Sequence, residues 1–427
     1  MSAAVVSLAY EAESAAWDAV VEADLLLAQD YLARARGIAR AYAAGRAAGR
    51  AEFVSCEVAA ALCIDDRSAQ DLIAEARMLT ELPGLAEAIA QGRLRLPHTK
   101  AVIDELLAVD TAVAVEVLTV VLGKVDGRTP AQLRGVVRRA VIRVDADAAS
   151  RRRRAAARER RVFVSPERDG MALFGAHLRA PDAMEAYRIV DEHAAGLAGD
   201  DRCADERRAD ALMQILRGGS GSDGQDSGGH RATRRQADIV VPVSVALGWA
   251  DEPCDVPGYG PLDPEAAREL LTDATLRKVC VDAKTGQVLA VENTTHTPTG
   301  PDQLRKVLHD MITHATPYDD TVTDAYTPTE AMRRTVIRRD KTCTFPACTA
   351  PAHRCDLDHR VPWPRGRTEP AGLDALSRKH HRAKQAGWTP TPMPDGTTWW
   401  TSPSGRVYIR PNPHEPPDPP DPSRIES

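Results

Sequence analysis

Aromatic residues are scarce in this 427-residue chain, at 4% of the total, and Phe occupies only 4 positions. A large aromatic core is therefore excluded, and packing has to rest mostly on Ala, Val and Leu. Lysine is nearly as rare, at 8 positions against 47 for Arg. An excess of positive charge is also missing, because 61 Asp and Glu outweigh 55 Lys and Arg and leave a net charge of -6. Taken whole, that is not a nucleic-acid-binding charge. The start lacks a basic leader and already carries Glu11 and Glu13, so no secretory signal is expected. The longest uncharged apolar stretch, residues 239–250, is too short to span a bilayer. These absences predict a soluble, cytoplasmic protein with no membrane partner.

Disulfides are not expected either. Eight cysteines in a chain this long, without a secretory signal, do not form a disulfide framework. Cys56, Cys63, Cys203, Cys254 and Cys280 are scattered and read as reduced small hydrophobes. Cys343, Cys348 and Cys355 instead fall within 13 residues, a clustering that needs a chemical reason.

What is present is mostly helical. From about residue 24 to 157, apolar residues recur three and four apart with charges between them. Thr129-Pro130-Ala131-Gln132 is a capping box with Pro at the first helical position. Residues 161–164 and 171–174 flank a polar turn and predict a β-hairpin, followed by helices over 181–197 and 205–216. Residues 237–247 alternate as a strand, Asp263-Pro264 opens a short helix, and residues 277–281 and 287–291 flank a Lys284-Thr285-Gly286 turn. The expected class is α+β. A helical N-terminal domain covers 1–217, a flexible Gly/Ser connection 218–236, and an α+β continuation 237–326. The lone histidines His98, His177 and His193 define no catalytic constellation.

The chemistry concentrates further on. Thr327-Pro328-Thr329-Glu330 reads as a second capping box, opening a basic helix to Asp340. Then come Cys343-Thr-Phe-Pro-Ala-Cys348, Cys355-Asp-Leu-Asp358-His359, and Ser377-Arg-Lys-His380-His381-Arg-Ala-Lys384. Thiolates on a short turn suit tetrahedral zinc, whereas Asp and His suit a harder divalent ion that meets phosphate oxygens. His381 and Lys384, three apart, share a helix face, and His380 points elsewhere. Asp356 shares the face of Asp358 on a strand. Residues 391–410 predict a β-hairpin extension whose Trp399-Trp400 pair either closes a small core or stacks on bases, and 411–427 is a Pro-rich tail expected to be disordered.

Residues 331–390 resemble the C-terminal HNH endonuclease domain of the actinobacterial thirteen-E-twelve repeat proteins. Asp169-Gly170-Met171-Ala172, residues 207–212 and Gly258-Tyr259-Gly260 resemble the domain of unknown function that precedes it there. The resemblance implies a zinc-stabilised ββα-metal domain over 327–390. It implies His359 as general base and Asp358 and His381 as ligands of a catalytic Mg or Mn ion. Cys343, Cys348 and His380, with Cys355 or His353, would hold a structural Zn ion. Arg360, Arg382 and Lys384 would meet DNA.

Two positions depart from the motif. Gly372 stands where the family has Asn, with Asp374 nearby, and Ser377 stands where it has a third Cys. The alternative expectation is therefore a zinc-containing DNA-binding protein with weakened or absent cleavage. Charge supports nucleic acid locally. Residues 331–390 carry 13 Lys and Arg against 5 Asp and Glu, a net +8, and residues 391–427 carry -2, which leaves -12 on residues 1–330.

Overall fold

The computed structural model describes residues 3–197, 201–217, 239–256, 259–271, 274–282, 284–292, 294–314 and 322–414. The first elements are helices α1 (Ala3–Ala47), α2 (Val54–Leu62), α3 (Asp66–Glu81), α4 (Pro83–Ala90), α5 (Leu96–Leu106), α6 (Thr111–Leu122), α7 (Pro130–Val144) and α8 (Ala146–Ala156). There follow strands β1 (Arg161–Pro166) and β2 (Ala172–His177), then helices α9 (Ala180–Ala195), α10 (Ala204–Leu216) and α11 (Val243–Ala246). Next are β3 (Cys254–Val256), β4 (Gly260–Leu262), α12 (Pro264–Leu271), β5 (Val279–Val281), β6 (Val288–Val291) and α13 (Pro301–Thr313). The last part holds α14 (Glu330–Asp340), β7 (Asp356–His359), β8 (Leu373–Leu376), α15 (Arg378–Gln385), β9 (Thr389–Pro392), β10 (Thr398–Thr401) and β11 (Val407–Arg410). A helical N-terminal half is thus followed by helices mixed with small antiparallel sheets. Among the described residues no helix is long and apolar enough to cross a membrane.

The chain forms two compact units that do not follow chain order. One comprises Met1–Arg152, Arg277–Thr295 and Thr316–Pro417; the other comprises Arg153–Leu276, His296–Ala315 and Asp418–Ser427. The first unit has two apolar clusters. The larger is aliphatic, with Leu85, Ile89, Ile103, Leu106, Val117 and Leu133 fully buried among α1 to α7. The smaller gathers Phe345, Trp388 and Trp400 with Cys343, Cys355 and, from α2, Cys56.

Local chemistry sets the helix boundaries. At α7 both halves of the capping box form: Thr129 Oγ1 accepts from Gln132 N at 3.3 Å, and Gln132 Oε1 accepts from Thr129 N at 2.9 Å. Asp65 caps α3 by accepting from Ser68 N at 3.0 Å. At α14 the expected box is displaced, because the capping side chain is Thr329, which accepts from Met332 N at 3.2 Å.

The hairpins at residues 161–177 and 279–291 form antiparallel pairs as the alternation predicts. Residues 239–247 correct the expectation of a strand. Val240 makes only an isolated bridge to Asp255, and residues 243–246 are a helical turn begun at Pro242. Proline lacks the N–H a ladder needs, and its fixed φ suits a helix start. The expected Gly/Ser connection at 218–236 and most of the tail, 415–427, lie outside the described residues. The C-terminal hairpin gains a third strand, β9, in the order β11-β10-β9. Of the Trp pair, Trp400 closes the smaller core, with Nε1 donating to Thr344 O at 2.8 Å, while Trp399 is exposed.

Candidate metal centre

Strands β7 and β8 pair antiparallel with Asp358 opposite Asp374 and His359 opposite Leu373, and α15 follows directly. This strand–strand–helix arrangement delivers the residues singled out in the sequence to two sites separated by the two faces of α15. Ser377 caps the helix by accepting from His380 N at 3.4 Å. His380 is thereby turned inward and His381 toward β7.

On the β7 side, His381 Nε2 lies 3.1 Å from Asp358 Oδ1, and its Nδ1 lies 3.4 Å from Asp356 Oδ2. Two ligands at right angles on a six-coordinate ion with bonds of about 2.1 Å sit about 3.0 Å apart, so the Asp358–His381 pair fits such an ion. Lys384 Nζ donates to Asp358 Oδ2 and to the carbonyl of His359. His359 is buried beside them. Its Nε2 lies 2.8 Å from Thr368 Oγ1, and Tyr326 stacks on the ring with centroids 5.3 Å apart. Burial lowers the His359 pKa below the ordinary imidazole value; Asp358 pulls it back up and Lys384 pushes it down. The neutral form of this imidazole is thus favoured at pH 7.

Behind the helix, Cys343, Cys348 and His380 place their ligand atoms within 4.8 Å of one another. Cys343 Sγ to His380 Nδ1 is 3.4 Å. Tetrahedral zinc with bonds of about 2.3 Å to sulfur and about 2.0 Å to nitrogen needs roughly 3.5 Å between these atoms, so the trio fits. The two cysteines bracket a tight turn in which Ala347 takes φ 57°. Phe345 from the same turn stacks flat on His380, with centroids 4.0 Å apart at 7°. Burial pushes the Cys343 thiol up to about 11. Cys355 lies beside Cys343, and that hydrogen bond holds its thiol below the ordinary value. Its sulfur also approaches Pro351 O at 3.5 Å, and neither Cys355 nor exposed His353 belongs to the cluster of three.

The three expected nucleic-acid contacts are all engaged by carboxylates. Arg360 pairs with buried Asp374 at 2.8 Å, Arg382 with Glu52 at 2.6 Å, and Lys384 with Asp358. Asp374 does not take the place of the missing Asn at His359. It faces Arg360 and Arg339, and Thr368 is the side chain that bonds the imidazole. Gly372 sits against the backbone: a Cβ there would meet Arg367 O at 2.9 Å, so a larger residue requires the loop to move.

Sequence reasoning missed Thr368 and Tyr326. It also missed Arg339, whose guanidinium donates to Pro370 O at 2.6 Å, to Leu373 O at 2.5 Å and to Asp340, thereby fixing β8. Thr368 has one local signal, its place in the loop between the two strands.

With this geometry in place, comparison with known proteins is informative for the region upstream. A family model described as "Domain of unknown function (DUF222)" matches residues 14–309. The chain belongs to the DUF222 family. This member is 30% identical over 374 residues to the uncharacterized protein Rv3776 of Mycobacterium tuberculosis, covering 84% of this chain and 70% of the relative. It is also 30% identical over 405 residues to the uncharacterized protein Rv2100 of the same organism, with 85% and 70% covered. No solved structure matches. The DUF222 match ends before Cys343, and the relatives' names assign no chemistry to the metal centre.

Proposed function

We propose that this DUF222 protein is a metal-dependent HNH-type endonuclease that hydrolyses DNA phosphodiester bonds. The observation that carries the reading is the Asp358–His381 pair at 3.1 Å on a strand–strand–helix unit whose first strand also bears buried His359. Asp358 and His381 would hold Mg or Mn, which when bound offsets the charge that builds on the phosphoryl group. With Thr368 accepting from Nε2–H, His359 keeps its Nδ1 lone pair for a water proton. The water oxygen bonds to phosphorus as the bond to the leaving sugar oxygen breaks. Cys343, Cys348 and His380, with Cys355 as fourth ligand, would hold structural zinc, stabilising a module too small for a large core. The net +8 on residues 331–390 supplies local attraction for phosphate.

One observation favours a second reading, a zinc-containing DNA-binding protein without cleavage: the ammonium of Lys384 already occupies Asp358 Oδ2. Incubating the purified protein with supercoiled plasmid and Mg²⁺ or Mn²⁺, beside a His359→Ala control, separates the two. The nuclease reading expects nicking that His359→Ala abolishes. Absent nicking with retained DNA affinity supports the second reading, and nicking that persists in His359→Ala sinks the first.

A further inference from the structure

His380 carries a feature that its three-membered ligand cluster leaves unexplained. Its Nδ1 is turned toward Cys343 Sγ and Ser377 Oγ, at 3.4 and 3.0 Å. The opposite nitrogen, Nε2, is buried and has no hydrogen-bond partner, in a residue only 2% exposed. If Nδ1 gives its lone pair to a metal, the proton must sit on Nε2, and a buried N–H without an acceptor is costly. Metal-bound histidines nearly always donate this second N–H to a carboxylate, a carbonyl or water.

A carboxylate is at hand, from 314 residues upstream. Asp66, at the start of α3, Cys56 in α2 and His380 place their ligand atoms within 4.8 Å of one another. Asp66 and His380 Nε2 are near but not hydrogen-bonded here, so a small shift has to accompany metal binding; neighbouring donors hold the carboxylate close by. Lys379 Nζ donates to its two oxygens at 2.6 and 2.7 Å, and Ser55 Oγ donates to Oδ1 at 2.8 Å. The surrounding surface is tied down as well, since Arg382 pairs with Glu52, and Glu57 accepts from Ser402 at 3.2 Å. A second ion at Cys56, Asp66 and His380 is disfavoured because the Lys379 ammonium occupies the carboxylate. Cys56 is not part of the set around Cys343 and Cys348.

We infer that Asp66 of the helical region is the outer-shell partner of the zinc site, orienting His380 by accepting its Nε2–H when the metal is bound. This rests on the zinc site proposed above and extends it. Metal loading of the C-terminal module then depends on a residue of the DUF222 segment. Lys379 and Ser55 serve to hold the carboxylate, and Cys56 forms an apolar wall.

Zinc affinity by chelator competition, metal content and the cobalt(II) absorption spectrum, all on the full chain, test the inference. Asp66→Ala should bind zinc about 10- to 100-fold more weakly and shift the cobalt ligand-field bands. Asp66→Glu should restore most of the affinity. Glu57→Ala, which removes a contact between the same segments but leaves Asp66 and its donors in place, should stay near the wild-type affinity. Equal losses in Asp66→Ala and Glu57→Ala would reduce Asp66 to a structural contact between the segments and overturn the inference. So would unchanged affinity in Asp66→Ala, two zinc ions per chain, or loss of a thiolate-to-cobalt band in Cys56→Ser. Wild-type protein that binds no zinc removes the underlying site as well, whereas zinc-loaded wild type with an indifferent Asp66→Ala removes this inference alone.

Discussion

The core beneath α1 to α7 and the core beneath the C-terminal strands belong to one compact unit, yet they use different residue types. The first is built from Leu, Ile, Val and Ala, the residues in which the chain is rich, and Tyr31 is its one buried aromatic among the described residues. The second draws on the scarce types: Phe345, Trp388 and Trp400 with Cys56, Cys343 and Cys355. A helical assembly of seven elements buries enough aliphatic area to need nothing else. The module of about 80 residues at the C-terminus has short strands and few aliphatics, so large rings and the ligand-bearing turn substitute for area. Its polar interior is just as economical: Arg339, Asp340, Asp374 and Arg360 form a buried charged network that locks β8 behind the site. Composition thus separates an aliphatic scaffold from the region proposed to hold the chemistry.

The contrast is sharpened by substitutions on each side of it. The largest effect is expected from His359→Ala, which should lower the plasmid-nicking rate by about 10²- to 10⁴-fold with little change in thermal stability. Trp400→Ala should next cost about 3–5 kcal/mol in denaturant unfolding of the C-terminal module, because a fully buried ring and its Nε1–H bond to Thr344 are lost together. Thr368→Val keeps the shape but removes the oxygen at His359 Nε2, and should slow nicking by about 10- to 100-fold without loss of fold. Smallest is Ile103→Val in the aliphatic core, at about 0.5–1.5 kcal/mol of stability and no change in nicking once folded. If Ile103→Val removed cleavage at unchanged stability, the division between scaffold and chemistry would break.

Legibility in the sequence follows the range of the interactions involved. The capping box at Thr129, the hairpin pairs and the inward and outward division of His380 and His381 all depend on neighbours within a few residues. The segment at 239–247 misled because its alternation was apolar while Pro242 could not join a ladder. Strand β9, with prolines at 390 and 392, gives no strand signal and exists only because β10 recruits it. Thr368 became visible only when the loop before β8 folded over His359. Asp66 lies in another helix altogether, and no pattern near His380 points to it.

The base role of His359 is tested most directly by the pH dependence of the plasmid-nicking rate at saturating Mg²⁺. Burial lowers the His359 pKa, so its neutral, proton-accepting form persists to a pH below the ordinary imidazole value of about 6.5. The expected wild-type rate is therefore constant through pH 7 and falls with acidification only below that value, and His359→Ala lacks this limb at a far lower rate. A wild-type limb lying above 6.5, or the same limb retained in His359→Ala, would contradict the assignment.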